Sequence, residues 1–186
     1  FCNELALEFE NLAASKGINF TMTGHSENTL PVPLTGSFDI QIVEKILFNL
    51  LNNAVKYTNV GGNITFDIFF DLHRFKPSFE NGFKLLNKEY RAEKYIYFHV
   101  ADSGIGISGD TITRIFDRFF LISKDQLGSG VGLALVKSLT QLHKGDIYVY
   151  SERLKGTEII IGLPWGEENY NESERAISGS NLEAEL

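Results

Sequence analysis

The chain is poor in cysteine, in basic residues and in long apolar runs. Its single cysteine, Cys2, cannot form an internal disulfide, which is typical of a reducing compartment. No apolar run approaches the roughly 20 residues that a membrane-spanning helix needs. Lys and Arg number 17 against 24 Asp and Glu, and no cluster of basic residues offsets the net charge of −7. We therefore predict a cytoplasmic segment with no nucleic-acid partner and no direct membrane contact.

The apolar residues that are present suffice for one domain, since the 186 residues are 43% hydrophobic and 22% charged. Their spacing alternates between the helical and the strand repeat. The predicted helices cover residues 4–15, about 108–119 and about 130–143, with one more that Asp39 caps, and the predicted strands cover 18–22, 63–70, 95–101, 146–151 and 157–163. We predict an α/β sandwich, in which a mixed, mainly antiparallel sheet carries helices on one face. Gly145 is expected to take the left-handed conformation that ends the last helix.

The helix after Asp39 is predicted to carry a polar stripe along one face. The stripe repeats at the spacing of one helical face and consists of Asn49, Asn53, Lys56 and Tyr57. The opposite stripe is apolar, is expected to face the sheet, and consists of Val43, Ile46 or Leu47, Leu50 and Ala54. A polar row on a helix that packs into a core indicates a binding site.

Asp102 follows a predicted strand and precedes two glycines, Gly104 and Gly106. An ionised carboxylate only accepts hydrogen bonds, so it can receive the exocyclic amino group of adenine, whereas guanine would present an oxygen. The glycines would let the backbone approach a planar base. By itself this pattern is more typical of a tight turn with a solvated aspartate.

Three glycines, Gly128, Gly130 and Gly132, precede the last predicted helix. A helix N-terminus offers unpaired N–H groups and a positive dipole end to phosphate. A dinucleotide-binding loop would follow a strand early in a parallel sheet, and here the glycines follow a helix and a loop. A P-loop would continue with Gly-Lys-Ser or Gly-Lys-Thr, which does not occur here.

These motifs come in a fixed order: Asn-x-x-x-Asn-Ala-x-Lys-Tyr at 49–57, Asp-x-Gly-x-Gly at 102–106, Ile-Phe-Asp-Arg-Phe-Phe at 115–120 and Gly-x-Gly-x-Gly-Leu at 128–133. The order and spacing resemble the catalytic ATP-binding domain of sensor histidine kinases, in the GHKL superfamily, over roughly residues 1–165. The residues within these motifs are most similar to those of the kinase module of bacterial hybrid two-component sensors. The resemblance implies a Bergerat-type sandwich that binds ATP and Mg²⁺.

The resemblance also implies roles for the motif residues. Asn53 would bind Mg²⁺, Asn49 would support the phosphate and metal end, Lys56 would contact phosphate or ribose, and Tyr57 would lie against the base. Thr157 would lie beside Asp102. The other expected nucleotide contacts are Gly104, Ile105, Gly106, Ile107, Phe120, Gly128, Gly130, Val131, Gly132 and Leu133.

Plainer roles stay open for three of these residues. Asn49 could hydrogen-bond the helix backbone, Tyr57 could be a core aromatic, and Thr157 could be an ordinary strand residue.

The amide at Asn49 bears on mechanism. Related ATPases of the topoisomerase, mismatch-repair and chaperone types carry a Glu there that activates water, and an amide cannot act as that base. The resemblance therefore implies transfer of the γ-phosphoryl group to a histidine. None of His25, His73, His99 and His143 has the sequence context of the family's phosphoacceptor. We expect the acceptor on dimerisation helices of a parent protein anchored in the inner membrane, with a receiver domain or response regulator downstream.

Three further features keep alternatives open. Many relatives have Arg or Gln where this chain has Leu121. Arg118 or Lys124 would then supply the missing charge. Residues 121–127 are interpreted as a short lid that is expected to be mobile before nucleotide binds. The alternatives are a module that binds nucleotide without transfer and an ATP-driven clamp ATPase. Residues 71–94 are interpreted as an insertion outside the core that could be deleted with little effect, and residues 166–186 as an acidic flexible tail or linker.

Overall fold

The computed structural model describes residues 1–23, 39–121 and 129–170, apart from the side chains of Arg74 and Glu167. Within these ranges the chain forms three α-helices, α1 (Cys2–Ser15), α2 (Ile40–Tyr57) and α3 (Gly132–Leu142). The strands in the same ranges are β1 (Asn19–Thr23), β2 (Asn63–Phe69), β3 (Gly82–Leu85), β4 (Tyr95–Asp102), β5 (Asp146–Glu152) and β6 (Gly156–Pro164). None of the described helices combines the length and the apolar character that crossing a bilayer requires.

The six strands form one sheet in the order β1-β2-β4-β6-β5-β3. The pair β1–β2 is parallel and every other pair is antiparallel. The helices pack on one face, with α1 against β1, α2 against β4 and α3 against β5. The predicted α/β sandwich with a mixed, mainly antiparallel sheet is therefore confirmed.

Helix α2 is oriented as its sequence predicts. The carboxylate of Asp39 caps its first turn by accepting hydrogen bonds from the N–H groups of Gln41 at 3.0 Å and Ile42 at 3.2 Å. The predicted apolar stripe is buried against the sheet, and both Ile46 and Leu47 belong to it. The polar stripe consequently faces away from the sheet's centre, toward the loop that follows β4.

Residues 108–119 differ from the predicted helix, and that prediction is wrong. The segment is a series of turns with hydrogen bonds three residues apart, from Thr111 N to Ser108 O at 3.0 Å, from Arg114 N to Thr111 O at 2.9 Å and from Asp117 N to Arg114 O at 2.9 Å. The hydroxyls of Ser108 and Thr111 also bond each other at 2.8 Å. Short polar side chains that bond locally compete with helical hydrogen bonding, which accounts for the difference.

The end of α3 also departs from the prediction. Lys144, rather than Gly145, adopts the left-handed conformation, with φ of 57°. Gly145 is needed for a different reason, because a Cβ there would lie 2.6 Å from the carbonyl oxygen of Gly162 on β6. The glycine permits a close approach of the loop to the sheet rather than a positive φ.

The segment 71–94 packs on the sheet, so the expectation that it lies outside the core is wrong. Its β3 pairs with β5, from Gly82 opposite Tyr150 to Leu85 opposite Ile147. Its aromatic residue Phe75 packs on Phe69 and His99 of the sheet face opposite the helices. This face, which we call the outer face, is covered by the segment as a partial third layer.

Two buried carboxylates anchor the segment to the outer face. Glu158 of β6 accepts hydrogen bonds from Ser78, through its N–H at 3.1 Å and its hydroxyl at 2.6 Å. Asp146 of β5 accepts two hydrogen bonds from the Arg91 guanidinium, at 2.9 and 2.7 Å, and one from the N–H of Asn87 at 2.7 Å. The segment thus supplies the partners that these carboxylates need in order to be buried.

The predicted tail begins later than residue 166. Asn169 is buried, its amide donates to the carbonyls of Trp165 and Gly166, both at 2.9 Å, and its oxygen accepts from the Tyr90 hydroxyl at 2.7 Å. The boundary at 165 is therefore wrong, because residues 166–170 belong to the packed domain. The rest of the predicted tail, 171–186, lies outside the described residues.

Candidate functional site

A cavity of about 320 Å³ lies between α2, the start of α3, the end of β4 and the start of β6. Most of the predicted site residues line it: Asn49, Asn53, Lys56, Tyr57, Asp102, Ile105, Gly106, Ile107, Phe120, Gly130, Gly132, Leu133 and Thr157. Gly104 lies next to this lining and Val131 is exposed outside it, while Gly128 lies outside the described residues. The structure thus brings four separate sequence motifs to one cavity.

Several lining residues were not predicted as site residues: Leu50, Asn52, Ala54, Val100, Ile115, Leu121, Ser129 and Ile159. Val100 and Ile159 stand on inner-face positions of β4 and β6, so the strand alternation that places Asp102 and Thr157 there would have identified them. Leu50 and Ala54 were predicted as core residues. They form the apolar wall of the cavity as well as part of the core.

Asp102 forms the base of the cavity at the end of β4. Its carboxylate accepts a hydrogen bond from the N–H of Gly104 at 2.8 Å. Burial raises the pKa of Asp102 to about 6, although the backbone N–H groups of Gly104 and Thr157 act in the opposite direction by bonding the ionised form. An ionised acceptor in a low-dielectric site is costly unless a donor reaches it, so this carboxylate is suited to a ligand with an N–H group.

Thr157 lies directly across from Asp102 in the β4–β6 ladder, as predicted. Its hydroxyl is 3.0 Å from that of Ser151, which also accepts from the N–H of Ile107 at 2.8 Å and bonds the Gly156 carbonyl at 2.6 Å. Since Ser151 donates to that carbonyl, the Thr157 hydroxyl donates to Ser151. Thr157 therefore presents its oxygen as an acceptor beside the carboxylate.

The glycines after Asp102 have a structural reason other than the predicted approach to a planar base. A Cβ at Gly104 would overlap the Tyr57 carbonyl oxygen, and one at Gly106, where φ is 60°, would overlap the Glu152 carbonyl oxygen. The N–H of Ile105 donates to the Tyr57 carbonyl at 3.2 Å. The glycines thus hold the loop tightly between the end of α2 and the end of β5.

The polar stripe of α2 has three distinct environments. Asn49 donates to the carbonyl of Lys45 at 2.7 Å, so the plainer backbone-bonding role holds while the side chain also lines the cavity. The Lys56 ammonium donates to the Tyr57 hydroxyl at 2.9 Å and lies 4.6 Å from the centre of its ring. Tyr57 is half-buried and lines the cavity, which excludes the plain core role. Asn53 makes no hydrogen bond within the described part of the chain, so its amide is available.

The start of α3 closes the other end of the cavity. Gly130 has a φ of 66°, and its carbonyl accepts from the N–H of Phe119 at 2.9 Å. A Cβ at Gly132 would lie 2.8 Å from Oδ1 of Asn49, so glycine lets the first turn of α3 approach α2. The unpaired N–H groups of this turn present partial positive charge on the side opposite Asp102.

The lid residues are described only in part. The ring of Phe120 lines the cavity and carries the Arg114 guanidinium at 4.7 Å from its centre. Leu121 also lines the cavity, while Arg118 is exposed and does not. Lys124 and the rest of the predicted lid, 122–127, lie outside the described residues.

The oxygen donors of the cavity fit a magnesium ion whose other ligands are waters and the phosphates of a bound substrate. Among the described residues no group of three or more His, Cys, Asp or Glu could hold a metal ion. Asn53 offers one neutral amide oxygen, and Mg²⁺ commonly takes one or two protein oxygens while keeping waters and substrate phosphates. A metal caged by protein side chains is not supported by these residues.

A partly buried carboxylate lies at one end of the cavity and a helix N-terminus at the other, groups that can accept an N–H and donate to phosphate, respectively. Residues 38–167 match the histidine kinase-, DNA gyrase B-, and HSP90-like ATPases. The chain belongs to this family and is an ATP-binding domain of the GHKL type that sensor kinases carry, which confirms the predicted resemblance.

Among similar proteins, Histidine kinase P4 of Formosa agariphila is 33% identical over 181 residues, which cover 94% of this chain and 11% of that protein. Sensor histidine kinase WalK of Bacillus subtilis is 34% identical over 138 residues, which cover 72% of this chain and 20% of that protein. The chain thus spans only a small part of the length of these relatives.

Solved structures agree with the fold. The full-length histidine kinase ShkA in complex with AMPPNP superposes with a TM-score of 0.64 at 27% identity, over 88% of this chain and 29% of that one. The catalytic domain of histidine kinase ThkA superposes with a TM-score of 0.65 at 21% identity, over 90% of this chain and 92% of that one.

Proposed function

We propose that the domain binds Mg-ATP in the 320 Å³ cavity and transfers the γ-phosphoryl group to a histidine on a dimerisation helix outside the described domain. Family membership supports ATP binding and a role in two-component signalling. The transfer step and the Mg²⁺ ion are proposals that depend on the residues of the cavity.

Base recognition is assigned to Asp102 and Thr157. The partly buried carboxylate of Asp102 accepts the exocyclic amino group of adenine, while guanine would place an oxygen against it and leave two acceptors facing each other. The apolar walls formed by Val100, Ile159 and Leu50 exclude water from the base. This arrangement selects adenine over guanine.

The phosphates are assigned to the start of α3 and to Lys56. The first N–H groups of α3 offer donors, and the ammonium of Lys56 on the facing helix supplies a positive charge to phosphate or ribose. Asn53 on the same helix would hold Mg²⁺, which neutralises phosphate charge when it is bound. Two helices thereby hold the triphosphate between them.

The transfer hypothesis is supported by which carboxylates line the cavity and where they lie. Asp102 is the one carboxylate among its described lining residues, and it lies at the base end. Asn49, at the phosphate end, uses its amide N–H on the Lys45 carbonyl and cannot remove a proton from water. The domain therefore positions ATP for an incoming acceptor rather than activating water, which disfavours a clamp ATPase.

The histidines of the described ranges do not serve as the acceptor. His99 and His143 are buried away from the cavity, and His73 lies in the outer-face segment. His25 lies outside the described residues. We propose that the acceptor belongs to dimerisation helices of a longer, inner-membrane protein, which would relay the phosphoryl group to a receiver domain or response regulator.

The second candidate function is nucleotide binding without transfer. Leu121 lines the cavity where many relatives are expected to carry Arg or Gln, so one charge or hydrogen bond to phosphate is missing there. Such a module would sense the nucleotide and leave phosphorylation to another domain.

Labelling with γ-labelled ATP distinguishes these functions. The isolated chain should not label itself, whereas a fragment that carries the dimerisation helices should acquire an acid-labile, base-stable phosphate when Mg²⁺ is present. Replacing the acceptor histidine of that fragment by Gln is the matched control and should abolish the label.

ATP binding without transfer, even when both parts are fused in native order, would favour the sensor. Strong labelling of the isolated chain would show an acceptor within it.

A further inference from the structure

His99 is a buried titratable residue that the nucleotide cavity does not use. It lies on the outer face of β4, directly across from Asp67 of β2 and Ile160 of β6. The residue is 8% exposed, and its Nε2 is buried without a hydrogen-bond partner in the described part of the chain. Buried polar atoms are nearly always paired, so this nitrogen needs a physical explanation.

Aromatic rings surround the imidazole. The centre of the Phe75 ring lies 5.0 Å from the centre of the imidazole at an interplanar angle of 69°, and that of Phe69 lies 6.5 Å away at 67°. The two phenylalanine rings are stacked on each other, with their centres 6.0 Å apart. Phe69 belongs to β2 and Phe75 to the segment 71–94, so the imidazole packs against both the sheet and its cover.

The part of the segment that covers His99 is held to the sheet at Ser78. We call residues 72–78 the flap. The N–H and hydroxyl of Ser78 bond the two oxygens of Glu158 on β6, at 3.1 and 2.6 Å. Glu158 stands two residues before the position that faces His99 across the β4–β6 ladder, so both side chains share the outer face as diagonal neighbours. The attachment of the flap therefore lies next to the imidazole.

Among the described residues, the charged groups that face His99 are two carboxylates. Asp67 comes from β2 and Glu158 from β6. On β4 itself the neighbouring outer-face residue, Tyr97, stays neutral because burial raises its pKa to about 12. The titratable side chains of the flap that the structure describes are exposed, and they are His73 and Lys76.

The protonation state of His99 bears on whether the flap can stay closed. Burial lowers the pKa of His99 from its ordinary 6.5, although Glu158 and Asp67 act in the opposite direction. A protonated ring carries an N–H on both nitrogens, and no acceptor bonds Nε2 in the closed flap. To reach Glu158, the imidazolium would have to compete with Ser78 for its oxygens. Protonation therefore favours a conformation in which the imidazole reaches water.

We propose that the flap 72–78 is a proton-sensitive cover of the outer face, closed over a neutral His99 and opened when that imidazole takes up a proton. The open form binds the proton more tightly, so the closed form is fully favoured above pH 6.5 and loses that advantage as the pH falls below this value. Opening removes two residues, Leu72 and Phe75, from the aromatic cluster that the outer face buries. The device does not depend on the proposed phosphoryl transfer.

Hydrogen exchange at the Ser78 amide measures the opening, because this N–H bonds Glu158 in the closed flap. Between pH 7.5 and 5.5 its protection, corrected for the intrinsic exchange rate, should fall at least about threefold in the parent chain. The amide of Ile160 on β6, a strand paired on both sides, should show no such fall. The opening would then be local to the flap.

Titration of the histidine ring resonances by NMR connects that fall to His99. Its imidazole should titrate with a midpoint below pH 6.5, and the loss of Ser78 protection should follow the same curve. This comparison uses the parent chain alone, so it decides the proposal even if a substitution at His99 prevents folding.

Variants separate His99 from the carboxylates beside it. His99→Gln cannot be protonated in this range and keeps Asp67 and Glu158, so its Ser78 protection should change less than about 1.5-fold between the two pH values. His73→Gln is the matched control, because His73 is an exposed histidine of the same flap. It should lose Ser78 protection as the parent does.

Four outcomes would overturn the proposal. The first two are a His99 midpoint at or above pH 6.5 and a Ser78 protection that stays constant between pH 7.5 and 5.5. The third is an equal loss of protection in His99→Gln, which would assign the effect to a carboxylate. The fourth is an equal loss at Ile160, which would show unfolding of the sheet rather than opening of the flap.

Discussion

Burial makes the ionised form of Asp102 costly to the folded domain. Its pKa is raised from an ordinary 3.8 to about 6, so the folded state binds the proton more tightly than the unfolded state does. Stability therefore falls as the pH rises between these two values, and the full cost is present above pH 6. The nucleotide-free domain bears this cost, and a bound adenine would offset part of it.

Asp102→Asn should therefore stabilise the nucleotide-free domain at pH 7.5 by about 1–3 kcal/mol, because it removes a buried charge and retains an acceptor for Gly104 N–H. The gain should nearly vanish at pH 3.5, where the aspartate is mostly protonated in both states. Urea unfolding at the two pH values measures it. An equal gain at both pH values would contradict the burial argument.

The same substitution should weaken ATP by about 1–3 kcal/mol, because an amide places a donor near the adenine amino group. ATP affinity of the parent should also fall as the pH drops through 6, and the variant should lack that step. Calorimetry checks both effects. Equal affinity of the parent for ATP and GTP would exclude the adenine role of Asp102.

Asn53→Ala should abolish the gain in ATP affinity that Mg²⁺ provides and leave much of the Mg²⁺-free affinity intact, because base recognition is assigned to Asp102. Titrations with and without Mg²⁺ separate the effects. Asn59→Ala is the matched control, since Asn59 is exposed outside the cavity lining. A variant that gains from Mg²⁺ as much as the parent would refute the metal assignment.

At the scale of elements, α2 connects sequence pattern to function most directly. Its capping residue and its two stripes are local features, and each takes the position that the spacing predicts. The turns of 108–119 show the opposite case, because their local side-chain hydrogen bonds replace a helix that apolar spacing alone would predict.

Asp39→Ala should lower the free energy of unfolding by about 1 kcal/mol, because two N–H groups of the first turn lose their acceptor. ATP affinity should hardly change, since Asp39 lies at the end of α2 remote from the cavity. Asp39→Asn retains a capping oxygen and should recover most of the loss. Chemical denaturation of the three proteins decides it, and an unchanged stability of the alanine variant would contradict the cap.

At the scale of the whole molecule, the outer face requires the segment 71–94. Ile160 is fully buried on that face, and it packs with Tyr97 and Tyr148 in a cluster separate from the helical side. Deleting the segment would remove β3, expose this cluster and leave Glu158 and Asp146 without the partners that Ser78 and Arg91 supply. Such a deletion should destabilise the domain strongly.

Arg91→Met should lower the free energy of unfolding by about 1–3 kcal/mol, because the side chain of Asp146 is buried and loses the Nη1 donor that contacts both of its oxygens. Asp146→Asn in the same background should recover part of the loss by removing the unpaired charge. Lys88→Met, exposed in the same segment, should have little effect. Thermal and urea unfolding measure these differences, and parental stability of Arg91→Met would show that the segment is not anchored there.

The sequence by itself determined the sandwich, the stripes of α2 and the polar and glycine motifs that meet at the cavity. Helical and strand periods are local, and they record which face of each element is buried. Only the tertiary structure decided that β3 pairs with β5, that the outer face is covered, and that Gly104, Gly106 and Gly145 meet carbonyl oxygens of distant elements. These contacts join residues far apart in the chain, so no local pattern encodes them.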